Sequence, residues 1–89
     1  MSMFDGEDLI FAAQIGAEIP QIDLHGMCPS EALFEADMFL YKNPNAKILR
    51  IIYGGGQGIL RAEILKYLRA QKIVRKLHEE SDASVLVLI

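Results

Sequence analysis

Between Lys47 and Tyr53 the chain reads KILRIIY, apolar on both alternations apart from Arg50, and it runs straight into GGGQG and then a helical pattern. A half-exposed strand alternates polar and apolar residues, whereas a strand apolar on both sides belongs inside a sheet. An interior strand that passes through glycines into a helix is one half of a crossover, and a crossover places the next strand parallel to the first. This segment therefore commits the chain to an α/β arrangement.

The other elements follow from that commitment. Ile22 to His25 is a strand with Ile22 and Leu24 on one face and Asp23 and His25 on the other. A helix follows Gly26, with Pro29 suited to its first turn, Glu31 to its positive end and Asn43-Pro44-Asn45 to its stop. Leu33, Ala36 and Leu40 form its apolar stripe, edged by Ala32 and Phe39. After the glycines, Leu60, Ile64, Leu65 and Leu68 make a second buried stripe, while Arg61, Glu63, Lys66 and Arg69 are spaced for a solvated face. Ile73 to Glu80 reads as a charged edge strand, Ser81 to Ser84 as a turn, and VLVLI as a central strand.

The order is β-α-β-α-β-β, with the first three strands parallel, the fourth antiparallel to the third, and both helices on one face because each crossover is right-handed. The other face, carrying Ile48, Ile52 and half of VLVLI, then needs a cover. Residues 1–20 supply a candidate in Leu9, Ile10, Phe11 and Ile15, expected to pack on a domain formed by residues 21–89. A partner sheet in a self-associated form is the alternative.

At 89 residues this is one domain. No apolar run approaches the roughly 18 residues of a membrane span, so no membrane contact is expected. MSMFDGEDL has neither the basic start nor the apolar block of a secretion signal, and the single cysteine, Cys28, forms no internal disulfide, so a cytoplasmic location is expected. A net charge of −3 and a pI near 5.2 argue against a broad grip on nucleic acid and leave room only for a local basic patch. Lys66, Arg69, Lys72, Arg75 and Lys76 are such a concentration, readable as a solvated surface or as a phosphate-tracking patch.

Because the first two strands are parallel, DLHG and YGGGQG converge at one sheet edge, where α/β folds bind ligands. The glycines at 54, 55, 56 and 58, with Gln57, either make a tight turn or let a phosphate approach the N–H groups of the following helix, with Arg61 just after them as a further phosphate contact. The loop has neither a Walker lysine nor dinucleotide-binding glycine spacing. Asp23 and His25 are readable as an orienting carboxylate and a base, as two ligands of a divalent metal, or as groups that hold the strand end. Cys28 and His78 add too little for a zinc site, and Cys28 is expected to be a partly buried structural thiol.

IDLHGM at 22–27 and ILRIIYGGGQGILR at 48–61 together resemble the Smr (small MutS-related) domain family over nearly the whole of Gln21 to Ile89. The first family motif is kept as Asp23, Leu24, His25 and Gly26. The second is kept in Gly54, Gly56, Gly58, Leu60 and Arg61, with Tyr53 at its usual histidine position and Gly55 at its common lysine position. The resemblance implies an α/β two-layer sandwich of sheet order 1-2-4-3, similar to the C-terminal domain of bacterial translation initiation factor three. It also implies DNA or RNA binding and, in some members, hydrolytic nicking by an endonuclease, for which Asp23 and His25 are the candidate catalytic pair, with a divalent metal such as Mg²⁺ as an optional cofactor. A catalytically silent protein- or ribosome-interaction module is the alternative, and a small enzyme using the loop as a phosphate cradle is a third.

Overall fold

The computed structural model describes residues 6–14, 16 and 18–89. Its elements run α1 (Gly6–Gln14), β1 (Gln21–Asp23), α2 (Pro29–Lys42), β2 (Ile48–Ile52), α3 (Ile59–Arg69), β3 (Lys76–Ser81) and β4 (Ser84–Leu88). The sheet order is β1-β2-β4-β3, with β1 and β2 parallel and β4 antiparallel to both of its neighbours. This is the expected topology. The strand apolar on both sides, β2, and the terminal apolar strand, β4, occupy the centre, and the charged β3 lies at an edge.

Period two then sorts the residues of β2 between two cores. Leu49, Ile51 and Tyr53 face the helices, joined by Val85 and Val87 of β4 and by Ala32, Ala36, Leu40, Ile64 and Leu68. The α2 stripe is thus centred on Ala32, Ala36 and Leu40, with Leu33 half-buried at its margin, because three small or mid-sized side chains let the helix lie close to the sheet. Tyr67 of α3 donates its hydroxyl hydrogen bond to Asp37 and ties the two helices together.

Ile48, Leu86 and Leu88 point to the opposite face, where Ile10 and Ala13 of α1 pack on them with Leu9 and Ile19 alongside. Ile15 lies outside the described residues. Arg50, the one charge in β2, is on this face. Its Nε and Nη2 donate to the two Glu80 carboxylate oxygens at 2.7 and 3.0 Å, Nη2 also reaches the Ala13 carbonyl at 3.3 Å, and Nη1 reaches Gln21 Oε1 at 3.3 Å. One guanidinium thereby links α1, β1, β2 and β3.

Two expected boundaries shift. β1 ends at Asp23 rather than His25, although Leu24 still donates to the Ile52 carbonyl at 2.7 Å before the chain turns at Gly26. β3 begins at Lys76 rather than Ile73, because Ile73 and Val74 are spent closing the turn after α3 over the helix-side core. Among the described residues no helix is long and apolar enough to cross a membrane.

The Arg50–Glu80 pair is mostly shielded from solvent, and Arg50 holds the Glu80 carboxyl below its ordinary value. As pH falls, the unfolded chain therefore takes up this proton first. The stabilisation is complete above the ordinary glutamate value of about 4.3 and is lost as pH falls below it. Arg50→Met should cost about 2 kcal/mol at neutral pH, less than the roughly 3–5 kcal/mol of a fully buried pair, and should flatten the acid limb of the stability curve in urea unfolding measured against pH.

Candidate functional site

β1, β2 and β3 run in one direction, so their C-terminal ends share an edge of the sheet, and the two motifs of the sequence meet there. The meeting is close. Gly54 has φ +82°, and a Cβ at this position would lie 3.0 Å from the Cβ of His25. Any other residue at 54 would adopt a left-handed backbone and push His25 aside. The Gly54 and Tyr53 amides both donate to the Ala83 carbonyl, at 3.0 and 2.9 Å, which fixes the loop to the β3–β4 turn.

An open cleft of about 480 Å³ lies between these segments, lined by His25, Met27, Tyr53 and the loop from Gly54 to Leu60. Its floor is the start of α3. Gly58 caps that helix in the left-handed conformation, and no side chain bonds to its first N–H groups, which are left for solvent or an anion. Gly55, Gly56 and Gln57 are exposed along the rim, and a Cβ at Gly55 would meet no atom within 4 Å.

Asp23 and His25 form a dyad although His25 lies beyond the strand. The His25 amide donates to Asp23 Oδ1 at 3.0 Å, and the ring Nδ1 lies 2.7 Å from the same oxygen. Those bonds, the backbone one first, hold the Asp23 carboxyl below its ordinary value. An ionised carboxylate only accepts, so Nδ1 carries the hydrogen and the neutral ring leaves Nε2 free as a base. Both side chains are exposed, His25 at 72% and Asp23 at 49%, so the dyad is open to a large substrate.

Arg61 and Cys28 differ from expectation, and Tyr53 acquires a definite environment. Arg61 is not a free cation on a solvated face: it is half-buried and its guanidinium pairs with Glu79 of β3, with Nε–Oε1 at 2.8 Å. Tyr53, at the usual histidine position, is 3% exposed and belongs to the helix-side core. Its hydroxyl is buried and makes no well-aligned hydrogen bond among the described residues; burial pushes its ionisation upward, while the polar contact with the Arg61 guanidinium works in the other direction. Cys28 is exposed at the N-cap of α2 rather than partly buried, and the Ser30 hydroxyl, then the Glu31 amide, hold its thiol below the ordinary value.

The donors at this edge do not build a resident metal site. Among the described residues no three His, Cys, Asp or Glu side chains come together, and Asp23 has already committed Oδ1 to two bonds with His25. Mg²⁺ is commonly held by one or two carboxylates with waters and substrate phosphates completing its octahedral shell, so the second Asp23 oxygen would be its one carboxylate ligand here and a bound phosphate would have to supply more.

Comparison with known proteins gives a consistent result. A family model described as the Smr domain matches residues 22–85. The endonuclease MutS2 of Finegoldia magna is 38% identical over 61 residues, which cover 66% of this chain and 8% of that protein, so the chain spans a small fraction of this relative's length. The crystal structure of the Smr domain of Thermus thermophilus MutS2 matches with a TM-score of 0.76 at 28% identity, covering 79% of this chain and 96% of that one.

Gly54→Ala should destabilise the fold by about 1–2 kcal/mol from the left-handed backbone alone, whereas Gly55→Ala should stay within about 0.5 kcal/mol, as read by thermal unfolding. Tyr53→Phe keeps the packing and removes an unpartnered buried hydroxyl, so the variant should be as stable as the parent or more stable by about 1 kcal/mol.

Proposed function

Because the chain belongs to the Smr domain family, we propose that it binds DNA or RNA through the phosphate backbone, with the glycine loop at the head of α3 as the contact at the dyad edge. The observation that carries this reading is the close approach of Gly54 to His25, which sets uncapped helix N–H groups and an imidazole around one cleft. The backbone of Gly54, Gly55, Gly56, Gln57 and Gly58 receives phosphate oxygens, and Arg61 adds its charge when a phosphate displaces Glu79. In this reading the domain acts in the cytoplasm, residues 21–89 do the work, and the described part of residues 1–20 packs on the back of the sheet.

The hydrolytic arm of the proposal rests on the dyad alone. A water beside a bound phosphodiester would give its proton to His25 Nε2 while its oxygen attacks phosphorus, with Asp23 orienting the ring and balancing the imidazolium. The bond to one bridging oxygen breaks, and that oxygen leaves with a proton from solvent. Tyr53 supplies packing to this edge and no proton transfer.

A second reading, a catalytically silent module for a protein or ribosomal partner, draws support from the buried Tyr53 and from the engagement of Arg61 by Glu79. Incubating labelled hairpin RNA, duplex DNA and branched DNA with the domain and with His25→Ala separates the two. The nicking reading expects a cut by the parent, on the order of a hundredfold slower in the variant, with binding unchanged. Binding by both proteins with no cut by either would leave the silent module, and no binding to any nucleic acid would overturn the main proposal.

A further inference from the structure

The cations of this chain are not spread over its surface. Of nine Lys and Arg residues, Arg50 and Arg61 are the two in ion pairs with carboxylates among the described residues. Topology collects the other seven. β1, β2 and β3 begin at the sheet edge opposite the glycine loop, and α2 and α3 both end there. Lys42 closes α2, Lys47 precedes β2, Lys66 and Arg69 occupy the last turn of α3, and Lys72, Arg75 and Lys76 lead into β3.

Glu18 precedes β1 at the same edge, but the part of it next to β3 carries no Asp or Glu side chain from the segment that joins α3 to β3. Residues 64–78 hold five cations and no Asp or Glu, in a chain whose net charge is −3. All five, Lys66, Arg69, Lys72, Arg75 and Lys76, are exposed, and among the described residues none enters an ion pair. A groove of about 290 Å³ lies between the end of α3 and the start of β3, lined by Arg69, Val74, Arg75, Lys76 and Leu77. Lys66 and Arg69 complement the negative end of the α3 dipole, but Lys72, Arg75 and Lys76 lie beyond the helix and have no such role.

We propose that this groove is a second phosphate-backbone contact, the principal electrostatic one, and that nucleic acid lies along α3 from it toward the glycine loop. This rests on the nucleic-acid reading above and adds a location to it. α3 has 11 residues, so its ends are on the order of 16 Å apart, close to the length of about five base pairs. Glu63 is the one carboxylate on α3, and the dyad edge carries Asp23, Glu79 and Asp82. Attraction is therefore concentrated at the groove, while the loop edge contributes directed N–H groups.

The test compares the parent with a Lys72→Gln, Arg75→Gln, Lys76→Gln triple variant and with a Phe34→Glu, Met38→Glu control that alters net charge on the exposed side of α2. Anisotropy of fluorescein-labelled duplex DNA and hairpin RNA is measured across a salt series. The triple variant should bind on the order of tenfold more weakly or worse at about 0.1 M salt, and its slope of log affinity against log salt should be shallower by about two to three. The control should keep the parental slope. An unchanged slope in the triple variant, alongside weakened binding by Arg61→Glu, would overturn the second contact and leave the loop reading standing. Losses in variant and control that scale with their changes in net charge, three units against two, would overturn it as a net-charge effect. Absence of salt-dependent binding by the parent would overturn both readings. Should the triple variant fail to fold, the single variants Lys72→Gln and Arg75→Gln should each lower the slope by about one.

Discussion

The approach of Gly54 to His25 is the contact on which the rest of this edge depends. It exists because β1 and β2 are parallel and in register, so that the chain leaves both strands at the same level, and because position 54 has no side chain to hold the segments apart. The glycine lets the loop pass beside His25, and the Ala83 carbonyl, which accepts from two successive amides, anchors the loop from its other side. A dyad whose two side chains are largely in solvent is thereby kept next to the head of a helix.

Electrostatics divides the labour differently. The dyad edge holds Asp23, Glu79 and Asp82 and one arginine that a carboxylate already occupies, so its attraction for an anion comes from oriented amides acting over short distances. The cations outside the two ion pairs of the described residues are at the other end of the sheet, where their combined field extends over about a Debye length. A chain with an acidic pI can present a strongly positive pole in this way, and the overall balance of charge is a poor guide to what such a domain attracts.

Much of this was legible in the sequence. The runs apolar on both sides marked β2 and β4 as interior strands and the charged run as an edge, the family resemblance supplied the full order, the crossovers followed from the helical spacing, and the convergence of the two motifs followed from parallel pairing. Tyr53 shows what a stricter reading would have found: it lies two residues after Ile51 and four after Leu49, so the period of the strand alone places it on the helix face. The pairing of Arg61 with Glu79 and of Arg50 with Glu80 was not legible, because each joins residues 18 and 30 positions apart whose meeting depends on where β3 sits in the sheet. The exposure of Cys28 depends in the same way on the tight turn at Gly26, which directs the chain outward before α2 begins.

The cover on the second face of the sheet is small. Among the described residues, Ile10 and Ala13 of α1 are buried over Ile48, Leu86 and Leu88 with Leu9 and Ile19 alongside, the Ala13 carbonyl accepts from Arg50, and Gln14 bonds to His78 of β3, while the helix-side core is larger. Partial openings of a protein start where the fewest contacts must be broken, so the back of the sheet bares an apolar strip well before the main core loosens. Loss of α1 would bare Ile48, Leu86 and Leu88, an apolar strip of the kind that drives association, while leaving the helix-side core and the motif edge in place.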